Sequence, residues 1–237
     1  MNTNNSRQIA NLNEKFRHLC EKVMQQLDFF EDVLLKNPNT ELAKKINMNE
    51  SEIDRLENEV REEVVKSLLT SSPRAIELRK IITYQDITNF LESIGDLLMD
   101  IITYPIEKKV FDLPDFEDFR AKLKEMLIFS KKMVNDAIFS FYYEDSDIAY
   151  RTIIEDNILD GLFREISENT LLYFQDTPLS EQELTNIIHI TNSAFIIEQI
   201  GDIATYIAEA AIYMIKGTDI RHKFSNYDVI NETNGNY

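Results

Sequence analysis

The stretch "LESIGDLLMD" (Leu91–Asp100) has a counterpart in "IEQIGDIATY" (Ile197–Tyr206). In each copy a Glu stands four residues before an Asp, with Ile-Gly just ahead of the Asp. Glu92 and Glu198, Gly95 and Gly201, and Asp96 and Asp202 are all 106 positions apart. The same offset relates Ile81-Ile82 to Ile187-Ile188, Asp54 to Asp160, Leu56 to Leu162, Glu59 to Glu165 and Ala43 to Ala149. One offset kept over so long a stretch is the mark of an internal repeat.

The repeat unit reads as helical. In 237 residues there are only five Gly, five Pro and no Trp, which leaves few turn-formers for an all-β fold. Apolar residues such as Ile53, Leu56, Val60 and Val64 recur three and four apart. Pro38, Pro73, Pro105, Pro114 and Pro178 punctuate these runs. Ser72-Pro73 offers an N-cap followed by Pro at the first helical position, and Ser180 with Glu183 offers a capping box. The pattern predicts six long helices, near 7–36, 40–70, 73–108, 115–143, 147–175 and 179–216. The expected fold is all-α: two tandem, similar three-helix bundles, over 1–111 and 112–222, followed by a polar, disordered tail over 223–237.

Charge narrows the function. The formal net charge of −17 repels nucleic-acid backbones and anionic lipid, and it suits cations. The polar start "MNTNNSRQIANLNEKF" has no apolar signal region, and no apolar run is long enough for a span. A cytoplasmic protein without membrane insertion is expected. A lone cysteine, Cys20, excludes an internal disulfide and reads as core packing.

Acids four residues apart include Glu50/Asp54, Glu92/Asp96, Asp156/Asp160 and Glu198/Asp202. Such pairs share one helix face, and chance alone supplies roughly seven in so acidic a chain. The registered recurrence is the stronger signal. A partly buried like-charge pair is costly unless a cation compensates it. Gly weakens a helix by about 1 kcal/mol relative to Ala. At Gly95 and Gly201 it therefore implies close approach, either of another helix or of a ligand shell. Hard oxygen ligands favour magnesium, manganese, calcium or iron. None of His18, His189 and His222 follows a Glu by three, so the Glu-x-x-His of di-iron bundles is missing. No nucleophile–base set or Gly-rich phosphate loop appears, and no enzyme activity is expected. A carboxylate-bridged metal-storage or oxidase bundle and a metal-free helical scaffold remain as alternatives.

At these residues the chain resembles the phosphate uptake regulator (PhoU) family. "EIDRLENEV", "SPRAIELRKIITYQDI" and "LESIGD" follow the family pattern in the first repeat. "DNILDGLFREI" and "IEQIGDIATYIAEAAIYMIKGTDIRH" follow it in the second. The resemblance implies paired three-helix bundles whose acidic motifs hold iron, zinc, manganese or magnesium. Carried over, the ligands are Glu50, Asp54, Glu92, Asp96 and Asp100 in the first repeat. In the second they are Asp156, Asp160, Glu198, Asp202 and Glu209. Arg79 matches a family Arg with a structural or oxyanion-contacting role. Ser93 and Gln199 stand where the family has Arg, and Ile203 and Tyr206 where it has His and Asn. The first repeat, with Asp100, is expected to be the better metal site. The implied function is negative regulation of phosphate uptake and phosphate-starvation signalling. The implied role is that of a homodimeric adaptor between a phosphate ABC transporter ATPase and its sensor histidine kinase.

Overall fold

The computed structural model describes residues 3–35, 39–70, 73, 75–108, 117–174 and 180–220. Six helices account for nearly all of them, and no strand occurs among them. They are α1 (Thr3–Leu35), α2 (Thr40–Thr70), α3 (Ala75–Lys108), α4 (Glu117–Tyr142), α5 (Ser146–Phe174) and α6 (Glu181–Lys216). The expected tail over 223–237 and the junction around Pro114 lie outside the described residues, as does Ser72. Pro73 precedes α3, which starts at Ala75, so Pro73 is not the first helical residue.

Local chemistry sets several helix ends. Ser180 and Glu183 form the capping box at α6, with Ser180 N donating to Glu183 Oε2 at 2.8 Å. Asn39 Oδ1 accepts from Leu42 N at 2.9 Å and opens α2. Asp145 Oδ1 accepts from Asp147 N and Ile148 N and opens α5. At the far end of α6, Gly217 is left-handed at φ 70° and its N–H donates to Tyr213 O at 2.8 Å.

Helices α1–α3 form one bundle and α4–α6 the other, and α3 against α6 and α1 against α4 join them. The repeat extends to the first helix of each bundle with an offset of 107. Leu12, Phe16, Leu19, Leu27 and Leu34 on α1 are buried, as are Phe119, Leu123, Met126, Val134 and Phe141 on α4. The change from 107 to 106 is absorbed by the α4–α5 turn, which is one residue shorter than the α1–α2 link. There Glu144 takes φ 54°, in the left-handed region.

Between the bundles, Arg79 Nε on α3 donates to Met214 O on α6 at 3.4 Å, and Phe90 meets Tyr206 with centroids 5.8 Å apart. These two contacts make α3 and α6 antiparallel. Extending their register places the crossing near Ile94 and Ile200, both fully buried. The two isoleucines are one repeat position seen twice, so an approximate twofold axis passes between the two Gly motifs. A second tie is aromatic. Phe16 on α1, Tyr84 on α3 and Phe141 on α4 stack edge to face, with centroids 4.8–5.5 Å apart.

Phe141→Ala empties the middle of that tie. It is expected to lower the free energy of unfolding by about 3–5 kcal/mol in urea titration. A loss below about 1 kcal/mol would mean that the aromatic tie does not hold the bundles together.

Candidate functional site

The acid pairs come together as the repeat requires. Glu50 and Asp54 on α2 face Glu92 and Asp96 on α3, and Asp156 and Asp160 on α5 face Glu198 and Asp202 on α6. Burial, and then the charges of Asp54, Asp96 and Glu92, push the Glu50 carboxyl up to about 7. Burial, and then Asp202, Asp160 and Glu198, push Asp156 up to about 7. Glu92, Glu198 and Asp202 are raised as well, each by burial first and neighbouring acids second. The two quartets differ in exposure. Asp54 and Asp96 are exposed, whereas all four acids of the second quartet are half-buried.

The glycines explain how the acids reach each other. A Cβ at Gly95 would lie 3.2 Å from both carboxylate oxygens of Glu50. The Glu50 carboxylate therefore rests against the bare backbone of α3. A Cβ at Gly201 would lie 2.2 Å from Leu159 Cδ2 and 3.4 Å from Asp156 Oδ1. The close approach implied by the sequence is thus one helix laid on another, with an acid of the quartet in the contact.

Counter-charges are missing where they would be expected. Glu52, Glu57, Glu59, Glu63, Glu155 and Glu165, on the same helices, all hold a Lys or Arg. Among the described residues none of the eight quartet acids has a Lys or Arg within 4.0 Å. Among the described residues one side-chain hydrogen bond reaches the eight carboxylates: Gln26 Nε2 donates to Glu50 Oε2 at 3.1 Å. Glu50 Oε1 is buried without a partner.

These features fit a cation: clustered hard oxygens, an orphaned buried oxygen, a cradle that a methyl group would fill, and, among the described residues, no ammonium or guanidinium in direct contact, Arg61 acting on Glu92 only through its field. Among the described residues no three His, Cys, Asp or Glu side chains converge into a ready-made coordination shell. The charges repel one another, and the exposed Asp54 and Asp96 are free to change rotamer. Glu50, Asp54, Glu92 and Asp96 are the residues that would hold a cation in the first site, and Asp156, Asp160, Glu198 and Asp202 in the second.

The remaining sequence candidates fall elsewhere. Asp100 lies on α3, but its side chain is outside the described residues. Glu209, half-buried on α6, acts on Tyr206, whose phenol is raised by burial first and by Asp202 and Glu209 next. Arg79 lies against Gly217, where a Cβ would come 3.2 Å from the guanidinium carbon, and it caps the C-terminal end of α6. Gln26 and Asn49 escaped the sequence reading. Their signal was a polar residue at a core position, Gln26 between Val23 and Leu27 on α1 and Asn49 between Ile46 and Ile53 on α2, and it is easily lost in a chain so rich in polar residues.

A tandem three-helix protein with one registered carboxylate quartet per repeat defines the class. Comparison with known proteins names it. The PhoU domain family matches residues 16–104 and again 123–211, and the chain belongs to this family. It is 30% identical over 183 residues, 76% of this chain and 73% of the other, to a phosphate-specific transport system accessory protein PhoU homolog of Pseudomonas aeruginosa. It is 26% identical to the homolog of Aquifex aeolicus, over 92% of this chain and 95% of that one. The crystal structure of PhoU from P. aeruginosa superposes with a TM-score of 0.81 at 22% identity, covering 90% of this chain and 99% of that one. That of the phosphate transport system regulatory protein PhoU from Streptococcus pneumoniae gives 0.76 at 18%, covering 91% and 98%.

Two outcomes test this geometry. Raised carboxyl pKa values mean that the folded chain holds more protons than the unfolded one between the ordinary carboxylate range and about 7. Stability conferred by these groups is therefore lost as pH rises through that window. Glu52 and Glu183, held low by Arg55 and Ser180, act only at more acid pH. In chelator-containing buffer the Tm is expected to rise as pH drops from about 7.5 to about 5.5, and a fall would refute the clustered acids. Gly→Ala substitution should separate the two contacts. Gly95→Ala gains about 1 kcal/mol of helix propensity against a movable carboxylate, while Gly201→Ala meets a fully buried Leu159. Urea titration is expected to find Gly201→Ala the less stable of the two, and equal stability would contradict the packing described.

Proposed function

We propose that the protein is a regulator of phosphate uptake that restrains the transporter and keeps phosphate-starvation signalling off. It acts as a cytoplasmic, homodimeric adaptor between a phosphate ABC transporter ATPase and its sensor histidine kinase. Iron, manganese, magnesium or zinc occupies its carboxylate quartets. The observation that carries the reading is the pair of registered, unneutralised quartets in a chain of the PhoU family. The names of its relatives, accessory and regulatory proteins of phosphate transport, point the same way.

Physical chemistry shapes the proposal. Phosphate is not the direct ligand of the acid faces, since like charges repel. Bound cations instead neutralise the quartets and stiffen the contacts of α2 with α3 and of α5 with α6. Contact with the membrane machinery is peripheral, because no described helix is long and apolar enough to cross a membrane. Surface for partners is repeated as well. Val65 and Leu171, Leu78 and Leu184, and Ile82 and Ile188 occupy matched positions in the two repeats, and all are exposed.

Deleting the gene is expected to leave phosphate-starvation genes switched on in phosphate-rich medium, and the tagged protein should co-purify with the transporter ATPase or the kinase. Unchanged reporter expression on deletion would overturn the regulatory reading. Metal analysis of the purified protein beside Asp96→Asn and Asp202→Asn is expected to show bound metal that falls in both variants. Equal, negligible metal in all three would leave a metal-free scaffold.

A further inference from the structure

The two quartets are built on different foundations. Beneath the first lies a fully buried amide that joins three helices. Gln26 on α1 donates through Nε2 to Glu50 Oε2 on α2 at 3.1 Å and to Met99 Sδ on α3 at 3.4 Å. Its Oε1 accepts from Asn49 Nδ2 on α2 at 2.8 Å. Asn49, also buried, anchors the pair by donating from the same nitrogen to Lys22 O at 2.9 Å. These partners fix the orientation of the amide. Flipping Gln26 would set its carbonyl against a carboxylate and its NH₂ against another NH₂.

The second repeat has none of this. Met133 is the equivalent of Gln26, Glu155 of Asn49 and Thr205 of Met99. Met133 has no amide to offer. Glu155 pairs with Lys132 at 2.6 Å, and Thr205 Oγ1 donates to Asp202 O at 2.7 Å. No hydrogen bond reaches the Asp156 carboxylate among the described residues, and Leu159 takes the space over Gly201 that the Glu50 carboxylate occupies over Gly95.

We propose that Gln26 is the positioning residue of the first quartet: it holds Glu50 by Oε2, leaves Oε1 to a divalent cation, and so makes the two quartets non-equivalent sites. The inference rests on the cation-binding reading above. Its chemistry is that of an outer partner that orients a ligating carboxylate. Removing such a partner typically weakens metal binding about 10–100-fold. Asn49 acts one step further out, by keeping the Gln26 amide the right way round.

Titration of the purified full-length protein with Mn²⁺, followed by the EPR signal of the free ion, tests this. Wild type is expected to show two classes of site. Gln26→Met should weaken one class about tenfold or more and leave the other unchanged. Asn49→Ala should weaken the same class by a smaller factor, and it serves as the test if Gln26→Met does not fold. Val23→Ala, a core truncation on the same helix, should lower Tm without moving either affinity. If Gln26→Met changes both affinities by less than about twofold, or no more than Val23→Ala does, the inference fails while cation binding stands. If wild type binds no Mn²⁺, both readings fall together.

Discussion

Everything at the candidate site depends on one close contact made twice: the approach of α2 to the backbone of α3 at Gly95, and of α5 to α6 at Gly201. Without a Cβ at either position, an acid-bearing helix face lies directly on its neighbour. The same approach that packs the bundle forces four carboxylates into one another's field. Burial then raises the cost of their charge, and among the described residues no Lys or Arg comes within 4.0 Å of a quartet carboxylate to offset it. A packing decision thereby becomes an electrostatic one, and the quartet is left either to hold protons or to attract a cation.

The antiparallel crossing of α3 and α6 makes this a property of the whole molecule. Ile94 and Ile200, buried at the crossing, are one residue away from the two glycines. Both sites therefore flank the approximate twofold axis. The aromatic tie of Phe16, Tyr84 and Phe141 and the cap that Arg79 gives to α6 both hold that arrangement through the N-terminal half of α3. For a protein that would relay a transporter's state, sites placed beside the junction of two rigid units are well positioned to bias it.

Much of this was legible in the sequence because repetition converts weak signals into strong ones. A single acid pair means little in so acidic a chain, but the same pair at a fixed offset in two helices located the quartets by residue number. Helix number, order and approximate ends followed from Pro spacing and apolar periodicity, and the Ser180–Glu183 box from its motif alone. Other features were out of reach for physical reasons. The offset of 107 in the first helices depends on turn length, and Leu or Phe in one copy faces Met or Ala in the other. Arg79 finds its partner on α6, more than a hundred residues away, through contacts that no local pattern announces. Gln26 is one more polar letter until burial shows that it lies in the core. The greater exposure of Asp54 and Asp96 is likewise not written in the motif, which has Asp at the matching positions 160 and 202 of the second half.

The central claim is that these carboxylates are cation sites and not merely an acidic surface. Anomalous diffraction from crystals equilibrated with Mn²⁺ addresses it most directly. The account predicts a peak at a quartet, about 2.0–2.6 Å from carboxylate oxygens on both facing helices, with Glu50 Oε1 among them in the first repeat. Saturating Mn²⁺ with no peak at either quartet, and the acids still apart, would contradict it.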